Sequence, residues 1–159
     1  MSDSVSSANS LFRSLLKYTA TLGFIGYIPF APGTWGSLAG LISFILIMPS
    51  LQTQLLIIII GVITGIYASS VAEKALDEKD SRRIVIDELI GFYVSVFYLP
   101  QRPGYLIMAF LLFRFFDIIK PLPIKKLEKA LHGGSGVMAD DIMAGIYANI
   151  ILQIWIKIS

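Results

Sequence analysis

Five acidic residues at the borders of apolar segments are the side chains best suited to metal chemistry: Asp87, Glu88, Asp117, Asp140 and Asp141. A helix cap needs one acid, whereas adjacent pairs of acids stand at two predicted helix starts. Ionised carboxylates at the edge of an apolar body repel one another, and burying them without a cation is costly. Because the chain has no cysteine and one histidine, these oxygen ligands predict a Mg²⁺ site.

Groups that can bind an anion lie close to these acids along the chain. Arg114 and Lys120 carry full positive charges on the same segment as Asp117. Two glycine-rich stretches precede predicted helices, and helix N-termini with such approaches bind anions through backbone N–H groups. The candidate phosphate-binding residues in these stretches are Gly33, Thr34, Ser37, Gly133, Gly134 and Gly136. Carboxylates for a metal beside donors for an anion predict a metal-bound phosphate.

Each of these features alone has a simpler explanation. A single acid such as Asp87 can cap a helix. Arg114 and Asp117 are three residues apart and can form an ordinary ion pair on one helix. His132 can close a helix at its glycine neighbour, or it can act as a general acid or base. The combination of these features in one chain favours a site.

The elements that must position these residues are helices. The chain contains five apolar segments: Ser37–Met48, Leu51–Ala72, Leu89–Leu99, Tyr105–Phe116 and Ile142–Ile158. In none of them do apolar and polar residues alternate as in a strand. We predict an all-α fold, a compact helical bundle integral to a membrane, with about five apolar helices. Short amphipathic helices are predicted at residues 11–19 and 123–131. Residues 1–10 are rich in serine and predicted to be disordered, and residues 11–159 to form a single domain.

Composition and charge restrict the class of protein. Of the 159 residues, 55% are hydrophobic and 15% are charged, and none of the 55 residues from Tyr18 to Ala72 is charged. This pattern excludes a disordered chain, a nucleic-acid-binding domain and most soluble enzymes. Among the apolar segments, Leu51–Ala72 alone reaches the roughly 20 residues that a membrane span needs. A compact helical domain partly sunk in a membrane is therefore the alternative to five spans.

The positions of the basic residues predict an orientation. If the N-terminus is inside and all five segments cross, eleven Lys and Arg residues lie inside and two lie outside. Such a bias marks the cytoplasmic side. It places the acids, Arg114, Lys120 and both glycine-rich stretches together at the cytoplasmic face. The apolar body then indicates a phosphate carried by a lipid.

The candidate metal-binding and phosphate-binding residues lie in four motifs. These motifs are Pro29-x-Ala-Pro-Gly-Thr-x-Gly-Ser37, Asp87-Glu-x-x-Gly91, Phe113-Arg-x-x-Asp-x-x-Lys-Pro-x-Pro-Ile124 and His132-Gly-Gly-x-Gly-x-Met-x-Asp-Asp-x-x-Ala-Gly145. In this order and spacing, from about Gly23 to Tyr147, the sequence resembles the phosphatidylglycerophosphatase A family. The resemblance implies Mg²⁺-dependent conversion of phosphatidylglycerophosphate to phosphatidylglycerol in the bacterial cytoplasmic membrane.

The site residues suggest a mechanism and leave alternatives open. The five acids are expected to bind one or two Mg²⁺ ions, while Arg114 and Lys120 hold the phosphate. Attack by water and a covalent aspartyl-phosphate route both remain, with one carboxylate or His132 as acid or base. A small ion or proton carrier that uses membrane acids is the alternative function, although no acid lies in the middle of a segment. The third possible function is that of an interaction protein, which docks a partner through its charged loops.

Overall fold

The computed structural model of the chain describes residues 2–79 and 81–158, with side chains for 9–79, 81–126 and 130–158. Over these residues the fold is all-α, as predicted, and contains no strand. A short 3₁₀ turn spans Ile25–Tyr27. The helices are α1 (Ser2–Ala20), α2 (Pro32–Ile47), α3 (Leu51–Leu76), α4 (Ile86–Ser95), α5 (Pro103–Ile119), α6 (Ile124–Ala130) and α7 (Gly134–Ile158).

Three helices begin five or more residues earlier than the sequence patterns indicate. Helix α1 starts at Ser2 and so includes most of the segment predicted to be disordered, which contains no glycine or proline to end a helix. Helix α2 starts at Pro32, a residue well suited to a first helical position, directly after Ala31 in the left-handed conformation (φ 48°). Helix α7 starts at Gly134, so Asp140 lies inside the helix and not before it.

The centre of the bundle is α4, which has ten residues. Its buried side chains include Phe92 and Tyr93, and both rings pack edge-on against Phe44 of α2, at centroid distances of 6.5 Å and 5.5 Å. Helix α7 packs against α4 from another side. Ten residues of helix measure about 15 Å, half of the ~30 Å hydrocarbon core of a bilayer. Helix α4 is therefore a half-length helix enclosed by its neighbours.

Polar side chains from two long helices satisfy the backbone beyond the end of α4. Asn149 of α7 donates hydrogen bonds to the carbonyl oxygens of Ser95 (3.1 Å) and Phe97 (2.7 Å). Gln153, one turn further along α7, donates to the carbonyl of Tyr98 (3.2 Å). The side-chain oxygen of Gln54 in α3 accepts from the Tyr98 N–H (3.4 Å). Backbone that ends inside an apolar body needs such partners, and these amides allow α4 to stop halfway.

Within the part of the chain that the structure describes, two helices, α3 and α7, are long and apolar enough to cross a membrane, with 26 and 25 residues. Helix α2 is apolar but has 16 residues. In the most apolar stretch of α3, 28% of the residues are buried. The remaining aliphatic surface is costly to expose to water, so α3 suits contact with lipid better than the core of a soluble protein. The prediction of about five apolar helices integral to a membrane is therefore not confirmed, because α2, α4 and α5, with 16, ten and 17 residues, are shorter than a membrane span needs.

Candidate active site

Three carboxylates from two helices form a compact cluster. Asp87 and Glu88 occupy the first turn of α4, and Asp141 lies on α7. One oxygen from each lies within 4.8 Å of the other two. Within the described part of the chain, one oxygen of each is buried and accepts no hydrogen bond: Asp87 Oδ1, Glu88 Oε2 and Asp141 Oδ2. Buried oxygens without a donor indicate that the cluster is built for a cation.

Two glycines bring α4 and α7 close enough for this cluster to form. A Cβ atom on Gly145 of α7 would collide with the carbonyl oxygen of Gly91 in α4. A Cβ atom on Gly91 would lie 2.8 Å from the carbonyl oxygen of Asp141 and 2.7 Å from the Phe113 ring. Any larger residue at either position would push the two backbones apart. The position of the Asp141 carboxylate next to Asp87 and Glu88 therefore depends on the contact between Gly91 and Gly145.

Burial and mutual repulsion shape the electrostatics of the cluster. Burial raises the pKa of the Asp87 carboxyl well above its ordinary value, and the charge of Glu88 raises it further. Burial also raises the pKa of Glu88 to about 7, with an additional rise from the charge of Asp117. Both carboxylates thus resist ionisation without a positive partner. A small divalent cation with oxygen ligands, such as Mg²⁺, fits this donor set because it would neutralise the charges and occupy the orphaned oxygens.

The other two predicted acids each form an ion pair. Asp117 accepts from Arg114 Nη1 at 2.6 Å, one turn apart on α5, and the two side chains are 14% and 16% exposed. Asp140 accepts from Lys120 Nζ at 2.5 Å, which joins the end of α5 to α7. Lys120 ends α5 in the left-handed conformation (φ 47°), directly before Pro121. These pairs fix two cations at the border of the three-carboxylate cluster.

The start of α2 closes another side of the site. A Cβ atom on Gly33 would collide with Glu88 Oε1 and lie 3.3 Å from Arg114 Nη1. The fully buried Ser37 hydroxyl accepts from Arg114 Nη1 (3.3 Å) and donates to the Gly33 carbonyl (2.9 Å). Ser37 therefore orients Arg114 and is not open to a substrate. Thr34 is half-buried in the first turn of α2.

The second glycine-rich stretch packs against α3. The N–H of Gly134 donates to the Ser70 hydroxyl at 3.1 Å, and a Cβ on Gly134 would collide with the Ile66 carbonyl. The N–H of Gly136 bonds to the Gly133 carbonyl at 2.8 Å. These amides already have acceptors, and close helix packing accounts for the small residues. About 9 Å of helix separates Gly134 from Asp140, so this stretch lies beside the acids and does not join them.

His132 lies in the turn before α7 with an exposed side chain. Its carbonyl accepts a hydrogen bond from the Ser135 hydroxyl (2.9 Å). The structure brings together the five acids, Arg114, Lys120, Gly33 and Ser37, whereas within the described residues no hydrogen bond or ion pair joins the His132 side chain to an acid. Polar residues inside the apolar segments, such as Ser70 and Asn149, were not predicted as important. The sequence could have indicated them, because each places a hydrogen-bonding side chain in an apolar segment, at a position expected to face lipid or the protein core.

Gly33→Ala tests the close approach of α2 to the acids. We expect activity to fall by about a hundredfold, because the methyl group must displace the Glu88 carboxylate, and misplacing a reacting group by about 1 Å has an effect of this size. The helix should persist, since alanine is a better helix former than glycine. Steady-state kinetics and circular dichroism measure the two effects. Normal turnover would show that Glu88 has room to move and that the contact is unimportant.

Comparison with known proteins identifies the family of this chain. A sequence profile of the family described as phosphatidylglycerophosphatase A matches residues 18–156. The chain is 37% identical to phosphatidylglycerophosphatase A of Haemophilus influenzae, over 82% of this chain and 83% of the relative. It is 38% identical to phosphatidylglycerophosphatase A of Escherichia coli, over 80% and 75%.

A third relative carries a different name. A Bacteroides thetaiotaomicron protein with the provisional name phosphatidylinositol-3-phosphatase is 38% identical, over 81% of this chain and 86% of its own length. No solved structure shows a significant match. The profile match covers most of the chain, including all four motifs and the carboxylate cluster. This chain therefore belongs to the phosphatidylglycerophosphatase A family.

Proposed function

We propose that this protein hydrolyses the terminal phosphate monoester of phosphatidylglycerophosphate and releases phosphatidylglycerol. The observation that carries the proposal is the buried cluster of Asp87, Glu88 and Asp141 with Arg114 beside it. The family match and the names of two relatives support this substrate, and the name of the Bacteroides relative supports the wider class of lipid phosphates. Dependence on Mg²⁺ and a site at the cytoplasmic face of the membrane are parts of the proposal.

The three-carboxylate cluster would hold Mg²⁺. The buried oxygens that accept no hydrogen bond from the described residues can bind the ion without the loss of a hydrogen bond. When bound, Mg²⁺ polarises a phosphoryl oxygen and lowers the pKa of water. Asp117 and Asp140 lie next to the cluster, where their ion pairs hold Arg114 and Lys120 in place.

Arg114 is the residue best placed to bind the phosphate. Ser37 and Asp117 fix one end of its guanidinium, while its Nε is buried and has no acceptor among the described residues. A fixed guanidinium binds phosphate oxygens in a defined orientation and stabilises charge that develops during transfer. Lys120 contributes a second positive charge at the same border. A carboxylate of the site is a better placed proton acceptor than the exposed His132, because the acids lie next to Arg114.

Phosphate release from lipid vesicles tests the activity and its metal dependence. With Mg²⁺, the full-length protein should release phosphate from vesicles that contain phosphatidylglycerophosphate. Excess chelator should reduce the rate at least about a hundredfold, because the carboxylates repel the substrate phosphate when no cation neutralises them. Vesicles with phosphatidylinositol-3-phosphate serve as the comparison. Undiminished release in chelator would contradict the metal site, and release from the inositol lipid alone would contradict the proposed substrate.

A further inference from the structure

An apolar groove runs between α5 and α7 at the end of the bundle away from the acids. Its volume is about 620 Å³, within the 300–1,000 Å³ of typical small-molecule sites. The apolar wall consists mainly of Tyr105, Met108, Leu112, Ile151 and Leu152. Trp155 stands at the far end, 14 residues beyond Asp141 on α7, which corresponds to about 21 Å of helix. The far end of the groove is thus distant from the carboxylate cluster, and none of the acids lines the groove.

One cation lies at the mouth of this groove. Arg102 is the residue directly before α5, and its side chain is exposed. Its guanidinium forms no hydrogen bond or ion pair with any residue whose side chain is described. Tyr105 and Trp155 flank the same end, and such aromatic residues are enriched where hydrocarbon meets the polar headgroups of a membrane. An unpaired guanidinium in this setting is complementary to a phosphate.

The length of the groove matches one leaflet of a bilayer. From Arg102 to Leu112, α5 rises about 15 Å, which is half of the ~30 Å hydrocarbon core. A ligand that fits must therefore combine a negative headgroup with an apolar chain of about this length. We propose that the groove binds an anionic phospholipid, with its phosphate on Arg102 and one acyl chain along α5 and α7. The site is distinct from the proposed catalytic site and does not depend on its activity.

Thermal unfolding of the full-length protein in a neutral detergent tests this site. Phosphatidylglycerol should raise the Tm by several degrees, because a ligand that binds the folded state stabilises it, and phosphatidylcholine should raise it much less. For Arg102→Gln, the phosphatidylglycerol concentration that gives half of the full Tm shift should be about tenfold higher. Lys157→Gln, which removes a cation near the same end of α7, should leave the response unchanged.

A second pair of variants tests the contribution of the apolar groove independently of the charge of Arg102. Gly104 lines the groove, and a Cβ there meets nothing within 4 Å, so Gly104→Phe should fill the groove without disturbing the core. It should abolish the lipid response, while Gly104→Ala should retain it. An equal response to both lipids, or an undiminished response in Arg102→Gln and Gly104→Phe, would overturn the proposal. A dimer in detergent that buries the groove and ignores lipid would also overturn it.

Discussion

Asp141→Asn is expected to reduce turnover by about a thousandfold while the protein still folds. Asn keeps the shape of the side chain but removes one of the three charges that would hold Mg²⁺, and losing one preorganised electrostatic group has effects of up to this size. The Tm in metal-free buffer should stay the same or rise, because one of several mutually repelling buried carboxylates is gone. Stabilisation of the protein by Mg²⁺ should largely disappear. Kinetics and thermal unfolding with and without Mg²⁺ measure these effects.

The matched control for this change is Asp77→Asn. Asp77 is exposed at the end of α3, in a left-handed conformation (φ 53°) that asparagine also adopts readily. Both the activity and the Mg²⁺ response should therefore survive the same chemical change at this distant position. If Asp141→Asn retained normal turnover, or kept the full stabilisation by Mg²⁺, the metal site would be wrong even if the protein proved to be a lipid phosphatase.

Gly145→Val is expected to lower the Tm by roughly 10 °C and to abolish activity. Its side chain would collide with the Gly91 carbonyl and lies within 3.0 Å of the Val94 Cβ, so α4 and α7 must separate. Overpacking of this kind costs about 3 kcal/mol, and each kcal/mol shifts the Tm by roughly 2–4 °C in a chain of this length. The separation also moves Asp141 away from Asp87 and Glu88. Thermal unfolding and the vesicle assay detect the two losses.

Gly104→Val provides the comparison for this prediction. It introduces the same side chain into another helix, at a position where a Cβ meets no atom within 4 Å. Its Tm in lipid-free detergent should remain unchanged or rise slightly, because glycine inside a helix is unfavourable. A normal Tm in Gly145→Val would mean that the helix contact is looser than the structure indicates. The role of this contact in holding the cluster would then be refuted.

The patterns that predicted helices correctly are local ones. Each apolar segment became a helix because long runs without strand alternation, turn residues or charge favour helical backbone. The starts of α2 and α7 were misplaced because Pro32, Gly33 and Gly134 normally indicate turns. In the structure Pro32 stands at a first helical position where it is favoured, and Gly134 permits close contact with α3 that compensates for its poor helix propensity.

The number of helices long enough to cross a membrane could not be obtained from composition. The segment that begins near Leu89 is as apolar as a span, yet it forms the ten-residue α4 inside the bundle. Whether such a helix can end halfway depends on polar partners from elsewhere in the chain, and Asn149 and Gln153 supply them from more than 50 residues away. Hydropathy measures each segment alone and so does not reveal such partners.

The sequence by itself determined which residue types are present and in which segments: paired acids, two nearby cations, glycine-rich stretches and apolar helices. Those properties follow from local composition and spacing, and they sufficed to predict an all-α fold and the family. The tertiary structure alone decided which acids meet across helices. Asp141 joins Asp87 and Glu88 in a cluster because Gly91 and Gly145 let α4 approach α7 closely. Asp140 of α7 pairs with Lys120 at the end of α5, because distances between helices depend on packing across the whole bundle. The pair of Arg114 and Asp117 lies within α5 and follows from their spacing of three residues.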